Sequence, residues 1–333
     1  MEGRWAGFLV VAVFLTTVPI NLAFLPSHVP SSAASCSWAH TNRGTAACRK
    51  LSISMGKASR AALGSARMPS VAVVRAAAGS TAGQQMSASS PLIYDGTLTQ
   101  RQSDFLVEDK IKVAQMLHEF GMHYIEGGWP TVSPQDRAFF VRARDELEPA
   151  CFRKLVAMAP VRAADVEAPA AVADALLKTG AANVGVALNV ASKASMHKDE
   201  LEKTLKLLSE GKPAGGKLIV HLHNAMHSYR EDAGQMSSLV SFICKCGADF
   251  VILVDSGGTA TPWEIEKLVG ELLPSVAWGE TQLGIHCRDD AELSVAATLY
   301  AAKQGAHMLV GTVNGFGGSV DLATVIPVLQ VPY

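Results

Sequence analysis

The chain has 333 residues, with 29 Lys and Arg against 30 Asp and Glu, and a formal net charge of −1. That balance hides two halves: residues 3–94 hold eight basic residues and no acid, whereas from Asp95 onward 29 acids face 21 bases. The acidic part lacks basic clusters, which argues against a nucleic-acid partner. Its cysteines, Cys151, Cys244, Cys246 and Cys287, form no C-x-x-C pair. They read neither as a disulfide framework nor as a structural zinc site, and they suit a reduced compartment.

The first element is an apolar run from Trp5 to Val18, preceded by Arg4 and interrupted only by Thr16 and Thr17. It is shorter than the ~20 residues of a membrane helix. It reads as the core of a secretory signal peptide, residues 1–23, with Ala23 beside the cut. Residues 24–90 are rich in Ser, Ala, Arg and Lys and hold no acid. Such a stretch cannot bury a core and reads as a disordered, transit-peptide-like leader. Signal plus transit segment resembles the bipartite presequence of algae with secondary plastids. Plastid localisation is therefore expected, with no membrane span in the mature form; a disordered secreted linker is the alternative.

From Leu92 on, strand and helix patterns alternate. The predicted strands are Leu92–Thr97, Tyr124–Gly128, Lys154–Ala159, Asn183–Val190, Leu218–His223, Phe250–Asp255, Gln282–Arg288 and Met308–Thr312. Between them fall helical patterns. The first is capped by Asp104, carries Val107, Ile111, Ala114 and Leu117 on one face, and closes at Gly121. The sixth opens with Thr261, Pro262 and Glu264, a capping-box start. Eight strand–helix units in residues 91–333 predict an α/β fold, a (β/α)8 TIM barrel. A doubly wound sheet is the rival, but no Gly-rich phosphate loop follows the first strand.

In such barrels the reactive groups sit at the C-terminal strand ends. That rule selects Glu126, Asp255 and Ser256 as catalytic candidates, and Asp95, Thr97, Thr312 and Asn314 as substrate-binding candidates. It also selects His286, His221 and His223; the last two share a strand face and are candidate ligands of a His-rich metal site. The alternative is that these polar groups hydrogen-bond loop backbones or line the barrel.

Five stretches resemble a known family. Tyr124-Ile125-Glu126-Gly127-Gly128-Trp129-Pro130 resembles the signature of the citramalate synthase branch of the metal-dependent isopropylmalate and homocitrate synthase barrels. Phe105–Lys110 resembles the family's first helix, Leu283–His286 its seventh strand, and Gly311–Gly317 its eighth strand. Asp255-Ser256-Gly257-Gly258 resembles the end of its sixth. The resemblance implies a Claisen-type acyl transfer from acetyl-CoA to pyruvate, giving citramalate on the route to isoleucine. It also implies a divalent metal (Mn, Mg or Zn) that polarises the ketone and takes His286 as a ligand, an Arg that clamps the oxo acid, and a homodimer. The related 2-isopropylmalate synthase and aldol-lyase activities are alternatives.

The family pattern is broken in four places. Asp95-Gly96-Thr97-Leu98-Thr99-Gln100 stands where the family has a motif carrying the substrate Arg and a metal Asp; Arg101 and Asp104 are the nearest replacements. His286-Cys287-Arg288 replaces His-x-His, putting a cation where a ligand belongs. The loop after the eighth strand is shorter and lacks the ligand Asn, and His223 replaces an acid. No C-terminal regulatory domain follows the barrel as the sequence stands. The expected chemistry is therefore weak or absent. The alternatives to an active enzyme are a catalytically impaired partner of an active paralogue and an exon-boundary error in the sequence.

Overall fold

Eight parallel strands pair in chain order and close into one barrel, β1 to β8, with β8 back on β1. They are β1 Leu92–Asp95, β2 Tyr124–Gly128, β3 Leu155–Val161, β4 Asn183–Asn189, β5 Leu218–His223, β6 Phe250–Asp255, β7 Gln282–Cys287 and β8 Met308–Gly311. The predicted TIM barrel is the observed fold. This computed structural model describes residues 90–100, 105–161, 169–191, 198–276 and 279–330. The signal-peptide and leader readings, Arg101 and the proposed cap Asp104 lie outside the described residues.

Strand alternation sorts the core into two shells. Tyr94, Val156, Met158, Ile219, Ile252, Val254 and Val310 fill the lumen. Ile93, Ile125, Leu155, Val220, Leu253 and Ile285 face the helices and join the larger cluster there. The outer face is covered by amphipathic helices such as Val107–Phe120, which buries Ile111, Ala114 and Leu117 as the sequence pattern predicts. That helix ends at Gly121, whose φ of 101° is the left-handed conformation that glycine adopts without strain. The four cysteines from Cys151 on are free. Among the described residues, no helix is long and apolar enough to cross a membrane.

Several element boundaries differ from the sequence reading. The first strand stops at Asp95, because a 3-10 turn over Thr97–Thr99 folds back onto the Asp95 side chain. The seventh stops at Cys287, and Arg288 instead bridges antiparallel to Ser319 in the loop after β8. The capping box at Thr261 is half formed: the Thr261 amide and hydroxyl both donate to the Glu264 carboxylate. A four-residue helix, Pro149–Phe152, precedes β3, where the sequence reading placed no element.

The lumen has room for its large side chains only because some positions are bare. A Cβ on Gly284 of β7 would fall 2.4 Å from Ile252 Cδ1 and 2.8 Å from the Met308 carbonyl oxygen. Gly284→Ala is therefore expected to lower stability by about 1–3 kcal/mol through overpacking. Urea unfolding of the variant and the parent checks it.

Candidate active site

The register places five chemistry-bearing side chains in the lumen. Tyr94 pairs with Val310 and Val310 with His286, while Val254 links His286 to His223. His221 lies two residues below His223 on the same strand face, and its ring is 5.4 Å from that of Tyr94. Glu126 stands two residues beyond Tyr124, which pairs with Tyr94.

Glu126 is the most elaborately held of these. The Tyr94 hydroxyl donates to Glu126 Oε2 at 2.8 Å, and the Trp129 indole N–H donates to Oε1 at 3.0 Å. Burial pushes the Glu126 carboxyl above its ordinary value, while hydrogen bonds from Thr99, Tyr94 and Trp129 pull it back down. The Tyr94 phenol is raised well above 10.0 by burial and the adjacent carboxylates, so it remains a donor.

The motif around Glu126 has a packing reason. A Cβ on Gly127 would fall 2.8 Å from Phe140 Cζ, and one on Gly128 would fall 2.5 Å from Asp136 Cγ. The empty space lets the helix Pro134–Glu146 bring Asp136 against the strand end. Asp136 accepts from the Trp129 amide at 2.8 Å and pairs with Lys110 at 2.5 Å. Lys110 also donates to the Gly127 carbonyl. A buried ion pair thus fixes Trp129, and Trp129 fixes Glu126.

The other predicted residues divide differently. Asp95 follows Tyr94 and so points away from the lumen, on the side of Ile93. It accepts from the Thr97 amide at 2.9 Å and the Thr97 hydroxyl at 3.0 Å, and the Val313 amide donates to that hydroxyl at 3.0 Å. Asp95 and Thr97 therefore tie the first loop to the last. Asp255 faces the same outer side and accepts from the Ala260 amide at 3.1 Å. The Ser256 hydroxyl accepts from the Asn224 amide, and the Thr312 hydroxyl donates to the Phe316 carbonyl. Asn314 is exposed, in a left-handed conformation. Only Glu126 and the three histidines share the lumen.

The histidines are neutral-type groups. Burial, with His223 and His286 nearby, holds His221 well below 6.5, and burial alone lowers His223. His286 is pushed down to about 3 by burial, His223 and the Arg288 guanidinium. His286 Nε2 is already hydrogen-bonded to the Ser319 hydroxyl at 2.9 Å. Among the described residues, no three His, Cys, Asp or Glu side chains lie where they could hold a metal ion. With the guanidinium of Arg288 beside His286, the donor set does not fit a divalent cation. Tyr94, Trp129 and Ser319 were given no role in the sequence reading. Tyr94 and Glu126 share lumen parity and could have been paired on that signal; Ser319 carried none.

A family model, HMGL-like, matches residues 94–331. The chain belongs to the HMGL-like family. Among its relatives, it is 32% identical over 260 residues to the (R)-citramalate synthase of Streptomyces coelicolor, covering 72% of this chain and 47% of that protein. It is 26% identical to the 2-isopropylmalate synthase of Heliobacterium modesticaldum, covering 73% and 48%. This HMGL-like chain thus spans about half the length of the curated relatives it matches. In fold it is similar to hydroxymethylglutaryl-CoA lyase from Pseudomonas aeruginosa, with a TM-score of 0.58 at 18% identity over 72% of this chain and 85% of that one.

Asp95 gives a pH test. Burial, partly offset by its Thr97 hydrogen bonds, raises its carboxyl from 3.8 to about 7. Between those values the folded chain keeps a proton that the unfolded chain has released. Stability from this group is therefore complete below about pH 4 and is lost as pH rises towards 7, at no more than ~1.4 kcal/mol per pH unit. Asp95→Asn is expected to flatten that fall, as read from urea midpoints across pH 4–7.

Proposed function

We propose that the chain carries a citramalate synthase-like acyl-transfer domain in which condensation of acetyl-CoA with pyruvate is weak or absent. The HMGL-like barrel and the intact Tyr124–Pro130 segment support the class of chemistry. The observation that carries the impairment is the β7 end: His286 spends Nε2 on Ser319, and Arg288 occupies the position of the second ligand. Such a site has no strong electrophile to stabilise developing alkoxide charge, a loss of several kcal/mol in transition-state stabilisation.

What remains is a proton-handling corner. Glu126 is gripped at both oxygens in a buried corner, and burial raises its carboxyl from the ordinary value, which suits it to hold or pass a proton. The organellar setting and the isoleucine route belong to this proposal; the composition of residues 3–94 supports the former and the citramalate synthase relatives the latter. An impaired partner of an active paralogue is the second reading, favoured by the same Arg288.

The test is pyruvate-dependent release of CoA thiol by the full chain, supplied with Mn²⁺, Mg²⁺ or Zn²⁺ in turn. The expected result is release at or near background with every metal. Restoring histidine alone, Arg288→His, is expected to leave it there. Brisk release by the parent would overturn the impairment, and brisk release by the variant would show that the other losses matter less.

A further inference from the structure

The N-terminal end of the barrel has a cavity of its own. Its volume is about 360 Å³, within the ~300–1,000 Å³ of small-molecule pockets. Its walls come from the chain at or just before the starts of β1 to β5: Leu92, His123, Tyr124, Arg153, Asn183 and Gly215. His223, His286 and Trp129 mark the other end of the barrel, so the cavity is separate from the candidate active site.

The polar groups that line it divide into engaged and unengaged ones. The Asn183 side chain is fully engaged. Its amide donates to the Arg153 and Leu155 carbonyls at 2.9 and 3.1 Å, and its oxygen accepts from the Lys217 amide at 3.2 Å. It is a strut that fixes the wall between β3 and β5. His123 is half engaged: its Nδ1 accepts from the Ile93 amide at 3.0 Å. Burial, with Lys154 nearby, holds this imidazole below 6.5, so at neutral pH its one proton sits on Nε2. That N–H has no partner among the described residues, and neither has the Tyr124 hydroxyl or the Arg153 guanidinium. The Tyr124 ring is held in place, stacked on Tyr94 at 6.4 Å and edge-on to Phe250 at 6.0 Å.

Charge points the same way. Asp249, which pulls on the Tyr124 phenol, is already held by Lys212 at 2.5 Å and Lys217 at 3.1 Å. Two cations on one carboxylate, with Arg153 as a third, leave this end without a free anion for Arg153. The cavity thus offers three donors, one of them charged, and only the phenol oxygen as an acceptor. The rest of the wall is apolar, since Leu92 and the Tyr124 ring pack on the lumen cluster.

We propose that this cavity binds a small organic carboxylate with an apolar body, Arg153 pairing with the carboxylate, Tyr124 and His123 adding hydrogen bonds, and Leu92 covering the body. A guanidinium grips a carboxylate through two parallel N–H bonds and keeps its charge at every working pH. A lining of donors rejects cations, and apolar walls favour an acid that carries hydrocarbon over one that does not. The site requires neither a metal nor acyl transfer, so it stands apart from the proposed function.

Calorimetric titration of the full chain with benzoate and with hexanoate tests it, with acetate and uncharged benzamide as controls. The expected result is saturable binding of at least one of the two acids, and binding weaker by about tenfold or more for acetate and benzamide. Arg153→Met should weaken the acid by about tenfold, the equivalent of ~1.4 kcal/mol. Arg153 is exposed, so this variant should fold, and its urea midpoint checks that. Tyr124→Phe, which keeps the ring, should weaken binding too. Arg288→Met, at the other end of the barrel, should bind as the parent does. No binding of either acid at millimolar concentration would overturn the proposal, as would equal binding by Arg153→Met. Benzamide binding as well as benzoate would mean that the walls act without the charge, and loss of binding in Arg288→Met would move the acid to the opposite end; either result also overturns it.

Discussion

Closing eight strands into a ring forces every second side chain into a lumen that has no exit except its two ends. Most of what is distinctive in this chain follows from that constraint. Large residues such as Tyr94, Met158 and Ile252 fill the lumen, and bare positions such as Gly185 and Gly284 make room for them. Polar side chains of lumen parity, Glu126, His221, His223 and His286, are carried inward with their strands and must find partners there. Glu126 finds Thr99, Tyr94 and Trp129, and His286 finds one in Ser319. His221 Nε2 finds none among the described residues.

The opposite parity explains the second group of polar residues. Asp95 and Asp255 each follow a lumen residue and so face the helices, where they would be stranded without local donors. Both meet this by turning the chain over themselves: the Thr97 amide reaches Asp95, and the Ala260 amide reaches Asp255. The Asp95–Thr97–Val313 relay also fastens the loop after β1 to that after β8, across the closure of the barrel. These carboxylates hold the rim in shape.

The fold was legible because two simple signals repeat eight times: a run of apolar residues of strand length, then an amphipathic helix. Boundaries slipped where a side chain captured its own backbone, as at Asp95, or where a loop paired with a strand end, as at Arg288 and Ser319. At the site, the Glu126 motif was readable, and the glycines in it turn out to admit Phe140 and Asp136. The broken metal pattern was readable as well, since Arg288 follows His286 at the spacing that puts both on one face. Sequence position alone marked Asp95, Asp255 and the histidines equally as strand-end residues; parity along each strand separates them. The bond between His286 and Ser319 was not readable, because it joins residues 33 apart through a loop with no motif of its own.

The donors at this mouth do not make a site for a divalent cation. His286 is engaged, Arg288 is a fixed positive charge beside it, and no cluster of three ligands exists among the described residues. Equilibrium dialysis of the full chain against Mn²⁺ and against Zn²⁺, with a parallel His286→Ala variant, measures this directly. The expected result is no stoichiometric binding of either ion, and identical curves for parent and variant. One tightly held ion per chain, lost on removing His286, would contradict it.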